Sequence, residues 1–291
     1  MSPEVDEAEA VGADPVQGKA AFPNLWQSIG MAVSYLALSS WLGTVVLLAA
    51  QTFHFPLWTA LVPGMLLGFP LALAFGIWLG RLDLWDILSF QKVRPGLWIP
   101  LFVTHAGFLI LILALAHGME VGMDRFLPDQ LRQNMLHASD PLAHASTPIL
   151  AILFASAAIP EEILFRGLIL KGLLGHYKPI AAIWISAALF MVAHGNPLQF
   201  PVAIMIGACA GWYYQATGSL WPGLVAHGLH NLLVGLTLDP QVLASNSLVV
   251  SPLPPLTWTL ASPFLAGLGL LWLRWQFKQP KALSWGVLDP G

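Results

Sequence analysis

The sequence predicts an all-α fold: a polytopic transmembrane bundle of about eight helices that encloses a polar cavity. Only 9% of the 291 residues are charged and 57% are hydrophobic, whereas a soluble domain is about one-quarter charged. Apolar runs of bilayer-spanning length recur along the chain. Carboxylate, guanidinium and imidazole groups interrupt some of these runs, and such groups are costly against lipid unless they face each other or water.

Eight apolar segments approach the length of about twenty residues that a helix needs to cross a bilayer. They cover approximately residues 29–52, 57–80, 97–119, 148–174, 179–195, 200–217, 220–238 and 256–275. The transmembrane domain is therefore predicted over residues 28–276. It lies between an acidic, disordered cytoplasmic tail at 1–27 and a short cytoplasmic tail at 277–291.

Two connections between these segments are predicted to carry short helices of their own. Residues 82–88 have the pattern of an interfacial amphipathic turn or two. Residues 120–146 form the longest polar connection, and a short helix is expected there around 130–137.

Lysines and arginines are distributed unevenly between the two faces of the predicted bundle. One face carries only Arg125 and Arg132. The other face carries Lys19, Arg81, Lys92, Arg94, Lys171, Lys178, Arg274, Lys278 and Lys281. Because cytoplasmic loops are rich in lysine and arginine, we expect both termini in the cytoplasm. A net charge of −3 without a basic block predicts no nucleic-acid partner, and the sequence gives no oligomeric state.

The fourth predicted segment carries three charged residues at membrane depth: Glu161, Glu162 and Arg166. Residues four apart on a helix share a face, so we expect Glu162 and Arg166 to form an ion pair. Glu161 is rotated by about 100° from Glu162, and we expect it to present a free carboxylate to a cavity. Pro160 removes a backbone hydrogen bond and is expected to kink the helix beside these residues.

Polar groups also interrupt the fifth and seventh segments. The fifth ends at His194, four residues after Phe190. The seventh carries His227 and Asn231 on one helical face, and His230 lies about 60° from His227, where we expect a supporting side chain. Because none of these groups is tolerable against lipid, we expect the three segments to converge inside the bundle.

This group of side chains fits the addition of water to an amide. Glu161 would act as the general base, and His194 would hold the water. His227 and Asn231 would donate hydrogen bonds to the oxyanion that develops on the attacked carbonyl. Each element also has a structural alternative, because ion pairs and amides can simply hold helices together and a histidine at a helix end can lie at the membrane interface.

Other chemistries of membrane proteases lack their motifs. The zinc signature His-Glu-x-x-His and the nucleophile elbow Gly-x-Ser-x-Gly are absent, and no aspartate lies well inside a predicted span. The single cysteine, Cys209, excludes an intramolecular disulfide framework and a cysteine-rich metal site. With no basic group beside it in the sequence, Cys209 is interpreted as a packing residue. His105, alone in the third span, is interpreted as a packed histidine of the bundle.

Three motifs together resemble those of the CAAX protease and bacteriocin-processing (CPBP, or Abi) family, which includes the type II CAAX prenyl endopeptidases. They are Glu-Glu-x-x-x-Arg at 161–166, Phe-x-x-x-His at 190–194 and His-x-x-x-Asn at 227–231. The stretch Thr-Gly-Ser-Leu-Trp-Pro-Gly at 217–223 is also similar to the family. The resemblance covers about residues 148–238, the motif core of the predicted domain.

The resemblance implies a glutamate-dependent intramembrane endopeptidase with an eight-helix bundle and a cavity open to the cytoplasm. By motif position, the site contains a base, its supporting ion pair, a water-positioning histidine and two oxyanion donors: Glu161, Glu162 with Arg166, His194, and His227 with Asn231. Phe190 and His230 are expected to support them. The expected partners are the lipid bilayer and a membrane-associated protein or peptide cut near its C-terminus. We expect no cofactor and a location in the bacterial cytoplasmic membrane.

Two alternatives remain open. Glu161, His194 and His227 could surround a zinc ion, with His230 as a further candidate ligand, which would make the protein a metalloprotease. A non-proteolytic membrane scaffold or a bacteriocin immunity protein would use the same cavity to hold a ligand. A transporter built of inverted repeats has little support, because no repeated pair of broken helices is evident.

Overall fold

The computed structural model describes residues 21–56, 59, 67–143, 145–237 and 253–277, and this part of the chain is helical without strands. In chain order, the helices are α1 (Leu25–Phe53), α2 (Phe69–Gly80), α3 (Leu84–Ile87), α4 (Pro95–Phe126), α5 (Asp129–Ala143), α6 (Thr147–Leu174), α7 (Pro179–Ala193), α8 (Phe200–Thr217), α9 (Trp221–Thr237) and α10 (Leu256–Phe277).

Four helices are long enough and apolar enough to cross a membrane: α1, α4, α6 and α10. α2 and α7 are apolar but have only 12 and 15 residues. α8 and α9 have 18 and 17 residues. The all-helical fold is confirmed, whereas a count of about eight spans stays a prediction. Much of the second predicted span (57, 58 and 60–66) and most of both predicted tails (1–20 and 278–291) lie outside the described residues.

The connections are more helical than the sequence predicted. α4 continues to Phe126, past its predicted end at 119, and α5 fills most of the remaining connection. Hydropathy marks the point where apolar side chains stop, but a helix can continue with polar side chains in water. The short helix expected within 82–88 is present as α3. The Asp83 side chain caps it by accepting a hydrogen bond from Trp85 N–H at 2.9 Å.

α6 is the central helix of the bundle, and it contacts α2, α7, α8 and α9. Its side chains from Leu164 to Leu170 are almost completely buried. From Ile163 to Leu170 the backbone widens into π-helical turns, directly after the two glutamates. Pro160 lies inside the continuous helix just before this change. The change in backbone geometry therefore begins next to the charged residues Glu161 and Glu162 and includes Arg166. Widened turns of this kind are frequent at functional sites.

Large apolar side chains cover the outer surface of the bundle. On α10, for example, Trp258, Phe264 and Leu268 are 60%, 80% and 60% exposed. In water, so much contiguous apolar surface would favour aggregation. Against hydrocarbon it carries no penalty, because lipid tails are as apolar as these side chains. The outer face therefore fits a lipid environment, while Glu161, Glu162, Arg166 and His227 are buried inside the bundle.

Candidate active site

α6 brings an ion pair into the middle of the bundle. Arg166 Nη1 lies 2.9 Å from Glu162 Oε1, and both side chains are 1% exposed. This is the pair that the four-residue spacing predicted. Because removing one partner would leave the other charge buried without compensation, both residues are needed together.

The Arg166 guanidinium also ties neighbouring helices to α6. Its Nη2 donates a hydrogen bond to the Gly207 carbonyl on α8 at 3.0 Å. Its central carbon lies over the Phe190 ring of α7, 4.6 Å from the ring centroid, a cation–π geometry. Arg166 therefore contacts α7 and α8 as well as Glu162.

His227 of α9 lies between the two glutamates of α6. Its Nδ1 is 2.9 Å from Glu162 Oε1, and its Nε2 is 3.5 Å from Glu161 Oε2. The side chain is 2% exposed. Glu162 Oε1 thus binds both Arg166 and His227, so this carboxylate orients the imidazole as well as the guanidinium. The sequence predicted only the pair with Arg166.

Asn231 fixes the arrangement from one helical turn further along α9. Its Nδ2 donates a hydrogen bond to the Phe154 carbonyl at 3.0 Å and lies 3.2 Å from His227 Nε2. A carbonyl oxygen can only accept, so the nitrogen of the amide must face Phe154. Its second hydrogen then points at His227 Nε2, which accepts it. This places the imidazole proton on Nδ1, where it is donated to Glu162.

Glu161 has the less satisfied carboxylate. The residue is only 7% exposed, and its Oε2 accepts no hydrogen bond from any side chain or backbone group in the described part of the chain. Glu162, one position later, is held by two partners through Oε1. The helix rotation of about 100° between neighbours therefore separates a held carboxylate from a free one, as the sequence predicted.

α7 ends at the site, where it positions His194. Gly195 adopts φ +63°, in the left-handed region that glycine enters at little cost, and this ends the helix. His194 Nδ1 donates a hydrogen bond to the Phe190 carbonyl at 2.8 Å. Its Nε2 is then the nitrogen with a free lone pair. The imidazole also interacts electrostatically with the Glu161 carboxylate.

Phe190 is the apolar centre of the site. It is 1% exposed, and its ring makes edge contacts with the imidazoles of His194 and His227, at centroid distances of 4.6 and 5.6 Å. With Arg166 on its face, the ring contacts a charged or polar residue from each of three helices. It therefore has the supporting position expected from its place in the motif.

Two further histidines lie behind His227. His230 is 2% exposed, one turn along α9, and His105 of α4 is 7% exposed. Both interact electrostatically with His227. The sequence placed His230 in a supporting position but gave no reason to place His105 near the site. The signal that could have done so is an imidazole in the middle of a long apolar segment, which is costly against lipid.

No three histidine, cysteine, aspartate or glutamate side chains are arranged to hold a metal ion in the residues that the structure describes. His227 uses Nδ1 for Glu162 and accepts a hydrogen bond at Nε2 from Asn231. A zinc ion on Nε2 would have to displace the Asn231 amide. The donors present fit hydrogen bonding to one another better than they fit a metal.

The apolar outer face and the buried glutamate–histidine–amide network define a class: an integral membrane protein with a site suited to hydrolysis. Residues 143–233 match the family described as Rce1-like, type II CAAX prenyl endopeptidase Rce1-like. This segment is thus similar to a family of CAAX endopeptidases, in agreement with the resemblance carried by its three motifs. The match contains all three motifs and leaves outside it α1 to α4, α10 and all of α5 except its last residue. No curated protein and no solved structure matches the chain significantly.

Proposed function

We propose that this protein is a glutamate-dependent intramembrane endopeptidase that cuts a membrane-associated protein or peptide near its C-terminus. The observation that carries the proposal is the position of His227 between two carboxylates. Glu162 is held by hydrogen bonding and an ion pair, whereas Glu161 is free. The family match supports the reaction type. A family name that refers to prenylated CAAX sequences supplies a first substrate to test.

In the proposed reaction, Glu161 accepts a proton from a water molecule that His194 Nε2 also holds. The oxygen of that water attacks the carbonyl carbon of the scissile peptide bond and forms a tetrahedral oxyanion. When this intermediate collapses, the C–N bond breaks and Glu161 returns its proton to the leaving amine. The products are a carboxylic acid and an amine, and at neutral pH the acid passes its remaining proton to the amine, so a carboxylate and an ammonium group leave and the protons balance.

Hydrogen-bond donors for the oxyanion come from His227 and Asn231. In the resting network, Asn231 donates to His227 Nε2. Uptake of one proton from bulk solvent at Nε2, before the attack, would turn this acceptor into a donor and would release the Asn231 N–H at the same time. Glu162 Oε1, 2.9 Å from Nδ1, would stabilise the resulting imidazolium. Two donors would therefore become available together where negative charge develops.

The direct test is cleavage by the purified protein, reconstituted in liposomes, of a fluorogenic peptide that ends in a farnesylated CAAX sequence. The same peptide without the farnesyl group shows whether the lipid is required. Cleavage at a defined peptide bond supports the proposal. If neither peptide is cleaved and cells carrying Glu161→Gln keep full immunity to a bacteriocin, a non-proteolytic scaffold is favoured instead.

Asn231→Ala is expected to lower kcat about a hundredfold, because an oxyanion-hole donor typically contributes at least this factor. The measurement is steady-state cleavage of the better of the two peptides. Asn134→Ala is the matched control, since Asn134 is an exposed amide on α5 whose side chain accepts a hydrogen bond from Gln130. Equal rates for the two variants would remove Asn231 from the proposed oxyanion site.

We expect zinc content far below one ion per chain, and cleavage that survives a metal chelator. The reason is that both ring nitrogens of His227 are already engaged in hydrogen bonds within the protein, and so is Nδ1 of His194. Elemental analysis measures the zinc content, and peptide cleavage after dialysis against a chelator measures the dependence on metal. Stoichiometric zinc, with activity lost on chelation and regained on adding zinc, would favour the metalloprotease with Glu161, His194 and His227 as ligands.

A further inference from the structure

The turn between α8 and α9 fixes the place where α9 begins. It lies within residues 217–223, which contain none of the proposed catalytic residues. Gly218 adopts φ +64° and ends α8. The fully buried Ser219 hydroxyl donates a hydrogen bond to the Gln91 carbonyl at 2.8 Å and accepts one from Trp221 N–H at 3.3 Å. The start of α9 is therefore tied to the segment that precedes α4.

Gly223, in the first turn of α9, lies against the Glu162 carboxylate. A Cβ atom at this position would be 2.9 Å from Glu162 Oε2 and 3.2 Å from Ala210 Cβ of α8. Side-chain Cβ atoms essentially never approach another heavy atom closer than 3.0 Å, so a methyl group does not fit here. Because glycine has only a hydrogen in that direction, α9 can pack directly on the carboxylate.

The Glu162 carboxylate cannot move away from such a methyl group without losing its own contacts. Its Oε1 lies 2.9 Å from Arg166 Nη1 and 2.9 Å from His227 Nδ1. Its Oε2, on the side of Gly223, is buried and has no hydrogen-bond partner among the described residues. Since both oxygens belong to one planar group, a displacement of Oε2 also displaces Oε1. If α9 moved instead, it would carry His227 away from the carboxylate.

Gly223 and His227 are four residues apart on α9, so they share a helical face. The Glu162 carboxylate lies across two successive turns of that face, with Oε2 against Gly223 and Oε1 bonded to His227. We propose that Gly223 is a positioning residue, whose missing side chain sets the distance at which His227 meets Glu162. The expected effect on rate rests on the proposed function, whereas the contact itself does not.

Gly223→Ala tests the role in catalysis because it adds one methyl group at this contact. We expect kcat to fall about 10- to 100-fold, since a shift of about 1 Å in a catalytic group can cost a hundredfold, with KM for the farnesylated peptide unchanged. Gly228→Ala is the matched control on the face of α9 that meets α6. A Cβ there would lie 3.9 Å from the Ala155 carbonyl oxygen and 4.0 Å from Ala158 Cβ, which is ordinary contact. Equal kcat for both variants, or a raised KM with unchanged kcat, would overturn the proposal.

Nuclear magnetic resonance of the protein without substrate separates this inference from the proposed function. In protein with isotope-labelled histidine, comparison with His227→Gln identifies the Nδ1–H resonance of His227. We expect Gly223→Ala to shift or remove this resonance and Gly228→Ala to leave it in place. An unchanged resonance in folded Gly223→Ala would overturn the inference whatever the activity. A shifted resonance in a protein whose Glu161→Gln variant cleaves at the wild-type rate would support the inference and contradict the proposed function alone.

Glu162→Asp provides a second variant in case Gly223→Ala does not fold. Aspartate keeps the negative charge beside Arg166 and is shorter by one methylene, which leaves room for the added methyl group. Circular dichroism in detergent measures the fold of the double variant, Gly223→Ala with Glu162→Asp. Recovery of the helical fold supports the proposed contact. A double variant that stays unfolded while Glu162→Asp alone folds would overturn it.

Discussion

Glu161→Gln is expected to lower hydrolysis at least about a thousandfold while the helical bundle remains folded. General bases typically contribute 10²- to 10⁴-fold to a rate, and an amide cannot accept the proton that Glu161 takes from water. The substitution keeps the shape of the side chain, and Glu161 Oε2 has no hydrogen-bond partner to lose among the described residues. Steady-state cleavage of the farnesylated peptide measures the loss, and circular dichroism in detergent measures the fold.

Glu120→Gln serves as the control for this prediction. Glu120 is also a buried glutamate on a long apolar helix, 4% exposed on α4, but it belongs to none of the three motifs. We expect the control to cleave at the wild-type rate. Cleavage by Glu161→Gln at the rate of this control would contradict the proposed mechanism, because Glu162, the neighbouring carboxylate, is already paired with Arg166 and His227 through Oε1.

Arg166→Leu is expected to destabilise the protein by about 3–5 kcal/mol, the cost of leaving a buried charge without its partner. Glu162 would keep His227 but lose the guanidinium 2.9 Å away, and the hydrogen bond to the Gly207 carbonyl would also be lost. The measurement is the midpoint of unfolding by denaturing detergent, followed by helical circular dichroism.

The exposed pair of Arg132 and Asp124 provides the control for this second prediction. Their atoms lie 3.5 Å apart, with side chains 21% and 30% exposed, and pairs of this kind contribute about 1 kcal/mol at most. Arg132→Leu should therefore change the midpoint little. The double variant Arg166→Leu with Glu162→Leu should be less destabilised than Arg166→Leu alone, because no unpaired carboxylate remains. A single variant as stable as the Arg132→Leu control would contradict the structural importance of the buried pair.

Helix geometry and the cost of charge in lipid were enough to predict the central contacts. The spacing of Glu162 and Arg166 gave their ion pair, and the rotation between Glu161 and Glu162 gave one free and one held carboxylate. Both follow from properties of a single helix. The convergence on His227 followed from the rule that polar groups at membrane depth face one another.

Contacts that depend on how helices pack were not predictable in the same way. Glu162 binds His227 as well as Arg166, and His105 of α4 interacts electrostatically with His227 from a helix outside the motifs. Periodicity shows which side of a helix is polar. It does not show which neighbouring helix packs against that side, or at what depth in the membrane the two helices touch. The widened turns after Glu162 were also missed, because nothing in the residue pattern of 163–170 separates π-helical from α-helical backbone.

The ion pair within one helix has a consequence for biosynthesis. α6 emerges from the ribosome before α7, α8 and α9, so its charges must enter the membrane without those neighbours. Glu162 and Arg166 can neutralise each other at once, since they are one turn apart in the same segment. Glu161 has no such partner within α6, and His227, whose Nε2 lies 3.5 Å from Glu161 Oε2 in the folded protein, is translated much later. While α6 enters the membrane, the nascent chain thus carries the Glu161 carboxyl group without a compensating partner.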